Sequence, residues 1–76
     1  MNTNLLKGKI AENGLSLKKF SEMTGIKKVA LYRKLSGQSE FNRKEIESII
    51  DVLALDCEQI YNIFLSKMFL KRNKSA

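Results

Sequence analysis

Histidine and proline are both absent from this 76-residue chain, and cysteine occurs once. Without histidine no imidazole can serve as acid, base or metal ligand near neutral pH. Cys57 has no second thiol for an internal disulfide and no partner for a nucleophile dyad or a zinc site. A lone cysteine fits a reducing cytosol. Glycine-rich phosphate-cradling loops are missing. Glu45, Glu47 and Asp51 have the spacing of a helix's solvent face. The chain is therefore not expected to be an enzyme, or to hold a metal, a cofactor or a small-molecule ligand. No apolar run approaches the roughly 20 residues of a membrane span, and residues 1–9 lack the apolar core of a secretion signal. With no proline and only four glycines, helices with short connections are favoured over a β-rich fold.

What is present is positive charge, unevenly placed. The formal net charge is +6. Residues 1–37 hold eight Lys/Arg against Glu12 and Glu22, and residues 38–76 hold six basic and six acidic groups. The whole excess lies in the first half. A charge run by itself is a solvated face, but a one-sided excess around two short helices joined by a tight turn reads as a phosphate-facing surface. A chain this short buries only about 60% of its unfolded surface, enough for one modest core. One domain over residues 1–70 is expected, followed by a basic tail, 71–76.

Five helices are expected. The first covers residues 4–13, capped by Thr3 or Asn4 and stopped by Gly14, with Leu6 and Ile10 inward. Gly8 inside it marks either close packing or a weak helix. Ser16 opens a second helix, Leu17–Thr24, with Leu17 and Phe20 inward. Residues 25–27 form a tight turn around Gly25, where a left-handed backbone suits glycine. A third helix spans 28–36 and is closed by Gly37. Two short helices set across a three-residue turn make a helix-turn-helix pattern. In the third helix Leu31 and Leu35 turn to the core, while Val29, Tyr32, Arg33 and Ser36 share a separate arc of about 100°. Lys27 and Lys28 stand at its N-terminal tip.

This stretch resembles the helix-turn-helix of lambda-type repressors and Cro proteins, the XRE-like group of bacterial and phage regulators. The resemblance rests on small Ser21, Gly25 in the turn, apolar Ile26 after it, buried Leu31 and the closing Gly37. It extends loosely over residues 3–66 and implies an all-α, five-helix DNA-binding domain. Leu17, Lys27 and Lys34 depart from the family, which often has Gln, Ser and an apolar residue there. A helix fits the major groove and meets base edges with its first turns. Lys27, Lys28, Val29, Tyr32, Arg33 and Ser36 are the candidate base contacts. Arg33 has two uses, a bidentate pair with guanine or a hold on phosphate. Val29 offers methyl groups to a thymine methyl. Ser16 and Lys18, at the start of helix two, stand where an incoming phosphate is favoured. By resemblance, Ser39, Asn42 and Arg43 are further phosphate candidates.

Phe41 is placed as a hydrophobic staple toward Ile46, and Asn42 with Glu45 forms a capping box for a fourth helix over 43–54. Ile46, Ile49, Ile50 and Leu53 have core spacing. Asp56 with Gln59 forms a second box, for a fifth helix over 57–70. That helix carries two apolar stripes. Ile60, Ile63 and Phe64 complete the core. Tyr61, Leu65, Met68 and Phe69 are either extra core or a surface for another chain. The functional expectation is a Cro-like, sequence-specific repressor in the bacterial cytosol or a phage-infected cell. It would bind a near-palindromic operator as a homodimer through helix five. The competing expectation is an antitoxin or antirepressor whose basic face meets an acidic protein.

Overall fold

The computed structural model describes residues 1–65. All regular structure among them is helical: α1 (Thr3–Glu12), α2 (Leu17–Thr24), α3 (Lys28–Leu35), α4 (Arg43–Leu53) and α5 (Cys57–Ile60), which runs on into a π-helical turn, Tyr61–Leu65. No helix among the described residues is long and apolar enough to cross a membrane.

Local chemistry accounts for the helix starts. The Ser16 hydroxyl accepts from Lys19 N–H, Asn42 and Glu45 exchange both bonds of a capping box, and Asp56 and Gln59 do the same. The first cap differs from expectation. Asn2, and neither Thr3 nor Asn4, accepts from Leu5 N–H at 3.1 Å, so α1 begins and ends one residue early. Its end is closed by Asn13, whose side-chain amide donates to the Lys9 carbonyl at 2.8 Å. Gly8 faces open space, so it marks a weak point of the helix and no close approach. α3 stops at Leu35, with Ser36 as its cap. α4 stops at Leu53, because Ala54 takes a left-handed conformation (φ 51°, ψ 49°).

The core joins Leu6 and Ile10 of α1, Phe20 of α2, Leu31 and Leu35 of α3, and Ile49 and Leu53 of α4 to Ile63 and Phe64. Ile26, Phe41 and Leu55 enter it from the connections. Ile46, Ile50 and Ile60 pack at its edge, only partly buried. Leu17 also packs against the core from the inward side expected for it, half-buried.

The fifth helix departs from an uninterrupted α-helix over 57–70. From Tyr61 to Leu65 it is π-helical. Bonding to the fifth residue turns the chain through a smaller angle per residue, which keeps adjacent Ile63 and Phe64 on the core side together. The Ile63 carbonyl accepts from Asn2 N–H at 2.6 Å, tying this turn to the start of α1. The remainder of the expected helix, including Met68 and Phe69, lies outside the described residues.

Candidate nucleic-acid interface

α2 and α3 meet at residues 25–27. Gly25 has φ 76°, and its N–H donates to the Ser21 carbonyl at 2.9 Å. The Ser21 hydroxyl crosses the turn to the Ile26 carbonyl, while Thr24 Oγ1 accepts from Ile26 N–H at 3.3 Å. Ile26 is thereby held in the core between the two helices. Lys27 caps α3 with backbone alone, leaving its side chain exposed.

Around α3, at about 100° per residue, Leu31, Leu35 and the partly buried Ala30 and Lys34 occupy one side. Lys28, Tyr32, Ser36, Val29 and Arg33 fill the remaining arc, and all five are exposed. Val29 is 69% exposed and Tyr32 60%, high for large apolar side chains on a helix that also supplies the core. Among the described residues no ion pair involves Lys18, Lys27, Lys28 or Arg33. The Ser36 hydroxyl donates back to the Arg33 carbonyl at 2.9 Å and keeps its lone pairs for an outside donor.

Other candidate residues flank this arc. On one side, Leu17 lines an open, largely apolar cleft of about 330 Å³ together with Ile10, Leu15, Tyr32, Leu35 and Ser36. Ser16 and Lys18, its chain neighbours, are thus brought beside α3. Across the helix, the start of α4 is tied to Lys34. The Lys34 ammonium lies 2.6 and 2.7 Å from the two Glu45 carboxylate oxygens and 5.8 Å from the centre of the Phe41 ring. This places Asn42 and Arg43 next to α3, with exposed Ser39 in the preceding connection. Asn42 spends its side-chain oxygen on the Glu45 N–H. Arg43 makes a surface pair with Glu47 at 3.5 Å, a contact of a few tenths of a kcal/mol that an incoming phosphate can displace.

Glu45 corrects the expectation of a solvent-face carboxylate. Its side chain is only 18% exposed, and that of Lys34 only 15%. Burial pushes its carboxyl up, but the Lys34 hydrogen bond, the Asn42 N–H and the Lys34 charge outweigh this and hold it below the ordinary value. The available signal was Lys34 itself, a charged residue between Ala30 and Leu31 on the inward side of the helical wheel.

Of the expected dimer surface, Leu65 is 45% exposed and Tyr61 is half-buried. No protein-family model matches the chain, and no curated protein or solved structure shows significant similarity to it.

Proposed function

We propose that this chain is a small transcriptional regulator that binds duplex DNA sequence-specifically. In this reading it is a Cro-like repressor of the bacterial cytosol or a phage-infected cell, acting by occupying its operator as a homodimer. The observation that carries it is the exposed arc of α3: two apolar side chains between basic ones that no carboxylate of the described chain neutralises. A solvated surface helix has little use for an exposed valine and tyrosine side by side. A major groove has use for both, because thymine presents a methyl group and every base edge presents hydrogen-bonding atoms. Lys27, Lys28, Val29, Tyr32, Arg33 and Ser36 meet the groove. Ser16, Lys18, Ser39, Asn42 and Arg43 hold phosphates along its two edges, which positions the helix without reading sequence. One such domain covers a short site. Two copies joined through Tyr61, Leu65, Met68 and Phe69 would set two reading helices about 34 Å apart on a near-palindrome.

Fluorescence anisotropy with labelled duplexes tests the reading. Random-sequence duplex should bind with Kd of about 1 μM or weaker, and a duplex selected from a random pool at least about a thousandfold tighter. Affinity should fall steeply with salt as bound phosphates release counterions. Salt-independent binding with no preference among duplexes would overturn it in favour of an acidic protein partner.

A further inference from the structure

We propose that the Lys34–Glu45 pair is a positioning joint: it sets the reading helix at a fixed angle to the start of α4, and so decides which base edges and phosphates the chain can touch at once. The inference rests on the DNA-binding reading. Three observations converge on the joint.

First, among the described residues this pair is the only hydrogen bond or ion pair between α3 and α4. The two elements are otherwise held by packing through the shared core. Second, Glu45 serves both elements. Its Oε1 accepts from the Lys34 ammonium at 2.6 Å and from the Asn42 N–H at 2.9 Å, so one carboxylate grips α3 and the capping residue of α4 together. Third, Lys34 lies on the far side of α3 from the exposed arc, beneath the Phe41 ring and mostly out of solvent. Its charge is therefore paired within the protein, whereas Lys28 and Arg33 of the same helix make no ion pair among the described residues.

Stability alone gives a poor account of that expense. Drawing two charges partly out of water is costly, and an apolar pair of similar volume is often as stable or more so. What the ion pair adds is direction, because both carboxylate oxygens meet one ammonium and the capping N–H fixes the carboxylate's orientation. Leucines here would leave α3 free to roll or tilt by small amounts. A reading helix with phosphate contacts beyond the joint, at Asn42 and Arg43, depends on that angle.

The test compares Kd for the selected duplex and for a random-sequence duplex of equal length, using the full chain at low temperature with circular dichroism on the same samples. Lys34→Met and Glu45→Gln should each lower the selected-to-random affinity ratio about tenfold, the scale of one mismatched base pair. Lys34→Arg, which keeps the pair, should retain the wild-type ratio. If a single variant unfolds, the double variant Lys34→Met/Glu45→Gln, which leaves no unpaired charge, should fold and still show the lowered ratio. An unchanged ratio in folded variants would reduce the pair to a stabilising contact and overturn the joint. Opposite effects would overturn it too: weaker binding of all duplexes by Lys34→Met and tighter binding by Glu45→Gln would make Lys34 a phosphate contact. If the wild type does not prefer one duplex, the DNA-binding reading itself fails and the joint with it. That outcome is read before any variant is made.

Discussion

The Ser21 hydroxyl, near the end of α2, donates to the carbonyl of Ile26 beyond the turn. This bond and the Thr24 contact to Ile26 N–H hold the turn that aims α3. Ser21→Ala leaves a partly buried carbonyl unpaired and should destabilise the chain by about 1 kcal/mol, read as a lower urea midpoint. An unchanged midpoint would mean that water replaces the hydroxyl without loss.

Backbone conformation predicts three further shifts, of two signs. Gly25→Ala forces a side chain into the left-handed region; nothing crowds the new Cβ, so the loss of about 1–2 kcal/mol is backbone strain alone. Ala54→Gly relieves the same strain at φ 51° and should stabilise by about 0.5–1 kcal/mol after the added freedom of the unfolded chain is set against it. Gly8→Ala, in open space on α1, should stabilise by about 1 kcal/mol. Thermal melts of the three variants check the signs.

Acid should weaken the Lys34–Glu45 tie. The folded Glu45 carboxyl is held below its ordinary value of 4.5, so the unfolded chain binds this proton more readily. The stability gained is complete above the unfolded value and is lost as pH falls through the lower folded one. Urea midpoints of wild type and Glu45→Gln should therefore converge as pH drops from 7 toward 3. A gap that stays constant across that range would show that the carboxylate's charge contributes nothing.

On the proposed reading face, Arg33→Ala separates two uses of one guanidinium. A guanine contact predicts a loss of about 1–3 kcal/mol with relaxed choice at one base pair per half-site, and a phosphate contact an even loss over all sequences. Lys28→Ala should flatten the log–log salt slope by about one unit. If Arg33→Ala and Tyr32→Ala together leave duplex binding unchanged, this face is not the interface.

The proposed dimer is tested by Leu65→Glu with Met68→Glu. Leu65 is already 45% exposed, so a charge there should spare the fold. Sedimentation should show monomers where the wild type forms dimers, and operator affinity should collapse. A double variant that still sediments as a dimer would place the contact elsewhere.

Helix identity and four of the five helix starts were legible in the sequence because capping is local. Asn42 and Glu45, or Asp56 and Gln59, need only each other, three residues apart, to start a helix. Periodicity likewise marked the inward sides: Leu6 with Ile10, Leu31 with Leu35, and Ile49 with Leu53 are buried. It also marked the outward arc, since Val29, Tyr32, Arg33 and Ser36 are all exposed. Periodicity gave no warning of Leu55, which fills the core from a connection too short to have a period. Nor did it foresee the π-helical turn, in which the Ile63 carbonyl meets Asn2, at the other end of the described chain. Lys34 and Glu45 are eleven residues apart on different helices. Glu45 taken alone reads as a surface charge and Lys34 shows only an inward place on its wheel, and only the packing of α3 and the start of α4 around a common core partly buries both and makes each the other's partner.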